Sequence, residues 1–443
     1  MTMNIAPAID SGVYRRRRER LAAAMGAGVA IVPTAAERTR NRDAHYPYRF
    51  DSYFYYLTGF REPEAVLVIV AGEKPASILF CRDKDPEREV WDGFRHGPEA
   101  ARAAFGIDEA HPIGDLDKRA PDLLADRDAL YCRLGEDPSW DARITGWINE
   151  VRGRVRSGVA APSEVKDVHV LLDEMRLIKG PEELAVMRRA AAITADAHRR
   201  AMRAARPDRA EYEIEAELLH EFRRQGAQAP AYTPIVAGGD RACVLHYVQN
   251  DGRLRDGELL LIDAGCELDG YAADVTRTFP VNGRFSGAQR EIYDLVLAAQ
   301  AAAIAQVKPG NRWDAPHRAA VETLAQGLID LKLLAGSLAE AVETESYKKF
   351  YMHRTGHWLG LDVHDAGDYK RSGEWRVLAP GMVLTVEPGC YIRAGAGVPE
   401  RYAGIGVRIE DDVAVTATGA EVLTRDAPKQ AADIEAWMSA RHA

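Results

Sequence analysis

Acidic side chains set inside apolar, strand-forming runs constrain this chain more than any other feature. Asp263, Asp274, Glu387 and Glu410, together with His357, lie in such segments of the C-terminal half. Gathering four carboxylates at one point costs desolvation and mutual repulsion. A buried cluster of that kind makes sense chiefly around divalent cations. The fold must either scatter these five side chains or converge them on a two-metal hydrolytic centre.

The first pair follows from strand geometry. Residues 259–268 and 271–279 are apolar runs rich in strand formers, separated by Asp269-Gly270, the strongest short hairpin signal. With those two as the turn, Leu268 faces Tyr271, Gly265 faces Asp274 and Asp263 faces Thr276. Asp263 and Asp274 then share a face as diagonal neighbours, roughly 7 Å apart at the backbone. Gly265 beside them is expected to leave room for ions and water. The alternative for this segment alone is the solvated face of an ordinary hairpin.

The remaining candidates come from separate segments. Glu387 ends Met382-Val383-Leu384-Thr385-Val386-Glu387, just before Pro388-Gly389, where a carboxylate serves either a site or a strand end. In Gly406-Val407-Arg408-Ile409-Glu410, alternation puts Arg408 and Glu410 on one face, which as a surface motif would be an ion pair. His357 lies in the stretch 353–365 with His353 and His364, two glycines and apolar neighbours, and three of the chain's 12 histidines in so short a stretch favour chemistry.

These residues carry a resemblance. Leu260-Leu261-Ile262-Asp263-Ala264-Gly265-Cys266, Gly270-Tyr271-Ala272-Ala273-Asp274-Val275-Thr276-Arg277-Thr278-Phe279, Gly356-His357-Trp358-Leu359-Gly360, Thr385-Val386-Glu387-Pro388-Gly389 and Arg408-Ile409-Glu410-Asp411 resemble the successive signatures of the pita-bread metallopeptidases. Within them the aminopeptidase P family is the most similar. Asn41-Arg42-Asp43, Tyr46-Pro47-Tyr48-Arg49, Tyr55-Tyr56-Leu57-Thr58-Gly59-Phe60 and Glu62-Pro63-Glu64-Ala65 resemble the extra N-terminal domain of aminopeptidase P and prolidase. Arg354-Thr355 departs from the small or apolar residues that relatives often carry there.

The resemblance implies a fold of two parts: an α/β creatinase/prolidase-like domain over residues 1–175 and an α+β pita-bread catalytic domain over 176–443. It implies two divalent metal ions held by Asp263, Asp274, His357, Glu387 and Glu410. The oxygen-rich donor set suits Mn²⁺ best, with Co²⁺, Fe²⁺ and Zn²⁺ also compatible. A hydroxide shared by the two ions would attack the carbonyl before proline, with Glu387 relaying the proton and His353 and His364 assisting at the oxyanion or the leaving nitrogen. His246, Arg408 and Tyr391 are expected near the substrate. Trp91 is a candidate contact from a neighbour in a homodimer or homotetramer, or else a buried core residue.

The implied activity is release of the N-terminal residue from peptides with proline second. Prolidase, restricted to Xaa-Pro dipeptides, shares this chemistry, but Trp358 and the Tyr-Pro-Tyr-Arg segment favour aminopeptidase P. A non-catalytic peptide- or protein-binding module, or a metal-free creatinase-like hydrolase, is a further alternative, disfavoured because none of the five ligands is replaced.

Composition limits the alternatives. At 443 residues the chain is long for one core. Its net charge of −9 argues against a nucleic-acid partner. Arg15 to Arg18 read as the solvated face of an N-terminal helix. No run is long enough to span a bilayer and none precedes the first charged helix, so a cytoplasmic protein with no membrane partner is expected. Five scattered cysteines give neither a disulfide framework nor a thiolate zinc site, and Cys266 and Cys390 read as packing residues. Gly12, Gly26 and Gly28 make no dinucleotide fingerprint, and there is no phosphate-binding loop.

Apolar runs at 28–33, 65–71 and 76–80 alternate with helical stretches to about residue 172. Pro181-Glu182-Glu183 then opens a helix with proline in its first turn and acids at its positive end. Helices are expected at 181–205 and 209–225, before the Asp263 hairpin. A second set is expected at 287–307 and 313–334, before strands at 382–393 and 404–415.

Overall fold

The computed structural model describes residues 9–395 and 397–440, which form two compact units divided between Arg176 and Leu177. The first is built on a six-stranded sheet in the order Glu109–Pro112, Ala76–Cys81, Val66–Ala71, Gly28–Pro33, Ala129–Tyr131, Glu164–Lys166. Gly28–Pro33 runs antiparallel to Val66–Ala71 and parallel to Ala129–Tyr131. Its central strands are the apolar runs of the sequence, and Val29, Ile31, Val68, Phe80 and Leu130 pack with Leu116, Trp147 and Val151 of the helices.

The basic run of the first helix is only partly solvated. Arg17 and Arg18 are 7% and 3% exposed. Arg17 donates to the Tyr56 carbonyl at 3.0 Å, and Arg18 to those of Leu57 at 2.9 Å and Gly106 at 2.5 Å. These arginines satisfy helix-end carbonyls, because the helix Ser52–Thr58 and the helix Gly97–Phe105 end against them.

In the second unit, helices Pro181–Ala204 and Glu211–Arg224 precede one hairpin, and Gly287–Ile304 and Asp314–Asp330 precede another. Glu183 closes a capping contact by accepting from the Gly180 amide at 2.9 Å. The first hairpin keeps the register set by Asp269-Gly270: Leu268 faces Tyr271 and Asp263 faces Thr276. Its strands are nonetheless interrupted, as Leu259–Asp263 then Cys266–Leu268 on one side and Tyr271–Ala272 then Thr276–Pro280 on the other. The second hairpin is interrupted likewise, pairing Val383–Val386 with Asp411–Val415 and Gly389–Ile392 with Ile405–Arg408. In both, the carboxylates stand at or beside the interruption, where the backbone turns aside from the ladder.

Gly265 does not make room for ions. A Cβ there would lie 1.6 Å from the Ala273 carbonyl oxygen, so its role is to let the two backbones of the hairpin approach. Gly265→Ala is expected to cost about 3 kcal/mol, as an overpacked core position does. Urea unfolding of the variant measures it.

The two hairpins are tied by a fully buried ion pair, Arg277 Nη2 to Asp411 Oδ1 at 2.7 Å, both side chains 0% exposed. Arg277 also donates to the Glu410 carbonyl at 2.6 Å, and Lys429 Nζ lies 2.6 Å from Asp411 Oδ2. Burial opposes the charge on Asp411, but Arg277 and Lys429 outweigh it and hold its carboxyl below the usual range. A depressed carboxyl stabilises the fold above its unfolded pKa of about 4 and loses that contribution as pH falls further. Asp411→Asn leaves a buried guanidinium without its partner and should cost about 3–5 kcal/mol. Denaturant melts of the variant against the parent, at pH 7 and at about pH 2, should show a difference that narrows at the lower pH.

Candidate metal centre

The interruptions bring the five candidate ligands to one place. Asp274, His357 and Glu410 each offer a ligand atom within 4.8 Å of the others. His357 Nε2 is 3.5 Å from Asp274 Oδ2 and 3.8 Å from Glu387 Oε1. Its Nδ1 is 2.9 Å from the Trp358 carbonyl, so that nitrogen carries the proton and Nε2 faces the acids. Asp263 joins through Tyr232, whose hydroxyl lies 2.5 Å from Asp263 Oδ1 and also contacts Asp274 Oδ1. Arg408 Nη2 is 2.6 Å from Asp263 Oδ2, so Arg408 pairs with Asp263, and the surface Arg408–Glu410 pair is excluded. Glu410 stands past the end of its strand and accepts from Thr276 Oγ1 at 2.6 Å.

Electrostatics in the cluster reflect crowded, buried acids. Burial, with the neighbouring carboxylates, pushes Glu387 up to about 7 despite His357 and Arg408. Burial and Asp274 raise Glu410 well above its ordinary value. Asp263 is also raised, by burial and by Asp274, against the pull of Arg408. Burial works against Asp274 as well, but the His357 hydrogen bond and charge outweigh it and hold Asp274 low. Burial alone would lower His357, yet Asp274 and Glu387 raise it to about 9. Protons on the glutamates thus stand where positive charge is needed. The donor set of four carboxylates and one imidazole, with a phenol wedged between two of them, fits divalent cations.

The remaining predicted residues surround this cluster with different degrees of engagement. His353 Nδ1 donates to the Arg354 carbonyl at 2.8 Å and Nε2 accepts from Tyr391 at 2.8 Å, while Arg408 Nη1 donates to the same Tyr391 oxygen at 3.1 Å. Burial and Arg408 push His353 down to about 3, so the ring is neutral and used at both nitrogens. His364 stands edge-on to His357 with ring centroids 4.4 Å apart, and it is exposed. His246 is exposed too. Trp91, in the first unit, is 83% exposed beside Val90 and Phe94, which removes the buried-core alternative.

Four residues of the site escape the sequence reading. Tyr232 bridges two acids, Thr276 and Thr385 hold Glu410 and the His357 backbone amide, and Asp412 accepts from the Asp274 amide at 3.2 Å. Thr276 was accessible from the hairpin register, which sets it opposite Asp263. Tyr232 lies in a loop outside any of the motifs. Cys266, by contrast, stays out of the cluster, its thiol donating to the Ala190 carbonyl at 3.4 Å.

Comparison with known proteins bears on this geometry directly. Residues 185–417 match the model of metallopeptidase family M24, and residues 14–131 that of the aminopeptidase P N-terminal domain. Xaa-Pro aminopeptidase of Escherichia coli K12 is 45% identical over 430 residues, 96% of this chain and 97% of that protein. The structure of aminopeptidase PepP from Pseudomonas aeruginosa superposes with a TM-score of 0.96 at 51% identity, covering 98% of this chain and 99% of that one. An alanine variant of E. coli aminopeptidase P in complex with substrate superposes with a TM-score of 0.96 at 44% identity, covering 98% of this chain and 100% of that one.

Proposed function

The chain belongs to metallopeptidase family M24, and from that premise we propose that it is a metal-dependent exopeptidase releasing the N-terminal residue from peptides whose second residue is proline. The observation that carries this reading is the meeting of Asp274, His357 and Glu410, with Asp263 and Glu387 alongside, in a second unit whose fold is that of the aminopeptidase P structures. Asp263, Asp274, His357, Glu387 and Glu410 would hold two divalent cations, with Mn²⁺ the best match to the oxygen-rich set. Bound there, the cations would polarise the scissile carbonyl and acidify water.

The chain's own groups supply the rest. Glu387, beside His357 at the end of its strand, takes the proton of the attacking water and returns it to the departing proline nitrogen. That return is indispensable, because the nitrogen leaves as an amine only if it gains a proton as the C–N bond breaks. His364, exposed at the rim and unencumbered by the Tyr391 network, is the donor to the developing oxyanion. The Arg408–Tyr391–His353 chain fixes the wall beside Asp263, and His246 extends it toward the substrate. The exposed Val90, Trp91 and Phe94 support a homodimer or homotetramer in which Trp91 reaches a neighbour. Five free, buried cysteines are compatible with a reducing, cytoplasmic setting. Among the described residues, no helix is long and apolar enough to cross a membrane.

The test is hydrolysis of an Xaa-Pro dipeptide and of a longer Xaa-Pro peptide by metal-stripped protein, with and without added Mn²⁺. Cleavage of the longer peptide dependent on Mn²⁺ is expected; cleavage of the dipeptide alone would establish a prolidase instead. Cation binding must displace the proton on Glu387. Apparent affinity should therefore rise with pH through about 7 and go on rising towards about 9, where His357 becomes neutral. Calorimetry in buffers of different ionisation enthalpy counts the protons released.

A further inference from the structure

A second cavity of the catalytic unit, of about 490 Å³, backs onto the loop that carries His357 and the strand Val383–Val386 that leads into Glu387, and none of the five candidate ligands lines it. Its walls are Trp313, Tyr369, Trp375 and Leu384, with Arg354 and Lys370 at the rim. That volume is typical of small-molecule sites, which combine apolar walls with a few placed charges. Lys370 Nζ stands 4.2 Å from the centre of the Trp375 ring and the Arg354 guanidinium 5.8 Å from it. Among the described residues neither cation has a carboxylate partner, although both stand at an apolar hollow. The one acid in the wall, Asp314, is already offset by Arg318 at 3.4 Å and Arg312 at 3.7 Å.

We propose that this cavity binds a small aromatic carboxylate, its ring against Trp313, Tyr369 and Trp375 and its charge on Arg354 and Lys370. Cations already placed over an aromatic plane complement an anionic, planar ligand, since stacking and charge pairing are satisfied together. Such a ligand modulates turnover because the cavity and the metal centre share a wall. Thr355, Gly356 and Thr385 line the cavity. The Thr355 carbonyl accepts from the Glu387 amide at 2.8 Å, and the His357 carbonyl from the Thr385 amide at 2.9 Å. The fit is tight, for a Cβ on Gly356 would lie 2.0 Å from the Thr385 carbonyl. Pressure on this wall therefore moves His357 and Glu387. Binding is independent of the proposed peptidase activity; the effect on turnover rests on it.

Titration calorimetry of the full chain with 2-naphthoate and with the neutral 2-naphthalenemethanol tests the proposal. Saturable binding of 2-naphthoate is expected, about tenfold tighter than the alcohol, and weakened about tenfold by Arg354→Met and by Trp375→Ala. Lys370→Gln, at an exposed position that leaves the core untouched, should weaken the acid but not the alcohol. Absence of saturable binding, or affinity unchanged in all three variants, would overturn it. So would binding abolished by chelator alone, which would place the carboxylate on the metal centre.

Discussion

Glu387→Gln should leave a folded protein that turns over its substrate about 10³-fold more slowly, within the range expected for loss of a general acid and base. Glutamine keeps the shape and one coordinating oxygen but cannot carry a proton between the attacking water and the proline nitrogen. Because the loss is in proton transfer, kcat should fall far more than KM rises. Steady-state kinetics with an Xaa-Pro peptide, alongside metal content by elemental analysis, provide the measurement. Near-normal kcat with the metal content retained would sink the role assigned to Glu387.

Removal of the cations should have the other large effect, on stability as well as activity. A ligand that binds only the folded chain contributes about 4 kcal/mol at a thousandfold excess over its Kd, so the Tm of the stripped protein should drop by roughly 10 °C. A pH signature should accompany it. Burial raises Glu387 to about 7 and, with Asp274, holds Glu410 well above its ordinary value. A raised carboxyl stabilises the fold fully below its unfolded pKa and loses that contribution as pH climbs to the folded value. Stripped protein should therefore lose stability between about pH 4.5 and 7. Loaded protein, whose cations replace those protons, should not. Calorimetric melts of both forms over that range decide it, and parallel curves would mean that the acids are not metal ligands.

Much of this site could be read from residues alone, because hairpin geometry is local. Asp269-Gly270 dictates the turn, and strand counting from it sets Asp263 across from Thr276 as observed. The interruptions were hidden, since an alternating apolar pattern looks the same whether a strand is continuous or turns aside near Asp274 and Glu387. Gly265 was misjudged for the same reason: its constraint is the Ala273 carbonyl, a backbone atom that no side-chain pattern reveals. Arg17 and Arg18 looked solvated because charge ordinarily is, and the carbonyls they satisfy lie far along the chain, at Leu57 and Gly106 among others. The cavity lined by Trp313, Arg354 and Trp375 draws on three segments distant in sequence and gives no periodic signal.

The buried Arg277–Asp411 pair, which joins the two hairpins, also sets how cations come and go. Parting the hairpins to admit an ion would strand a guanidinium and a carboxylate in an apolar interior, a cost comparable with a large share of a domain's stability. That leaves the exposed edge at His364 and His246 as the route for ion exchange, by rotation of carboxylate side chains about a fixed backbone. The frame sets the spacing of the donors, and cations that differ in size must adapt to it.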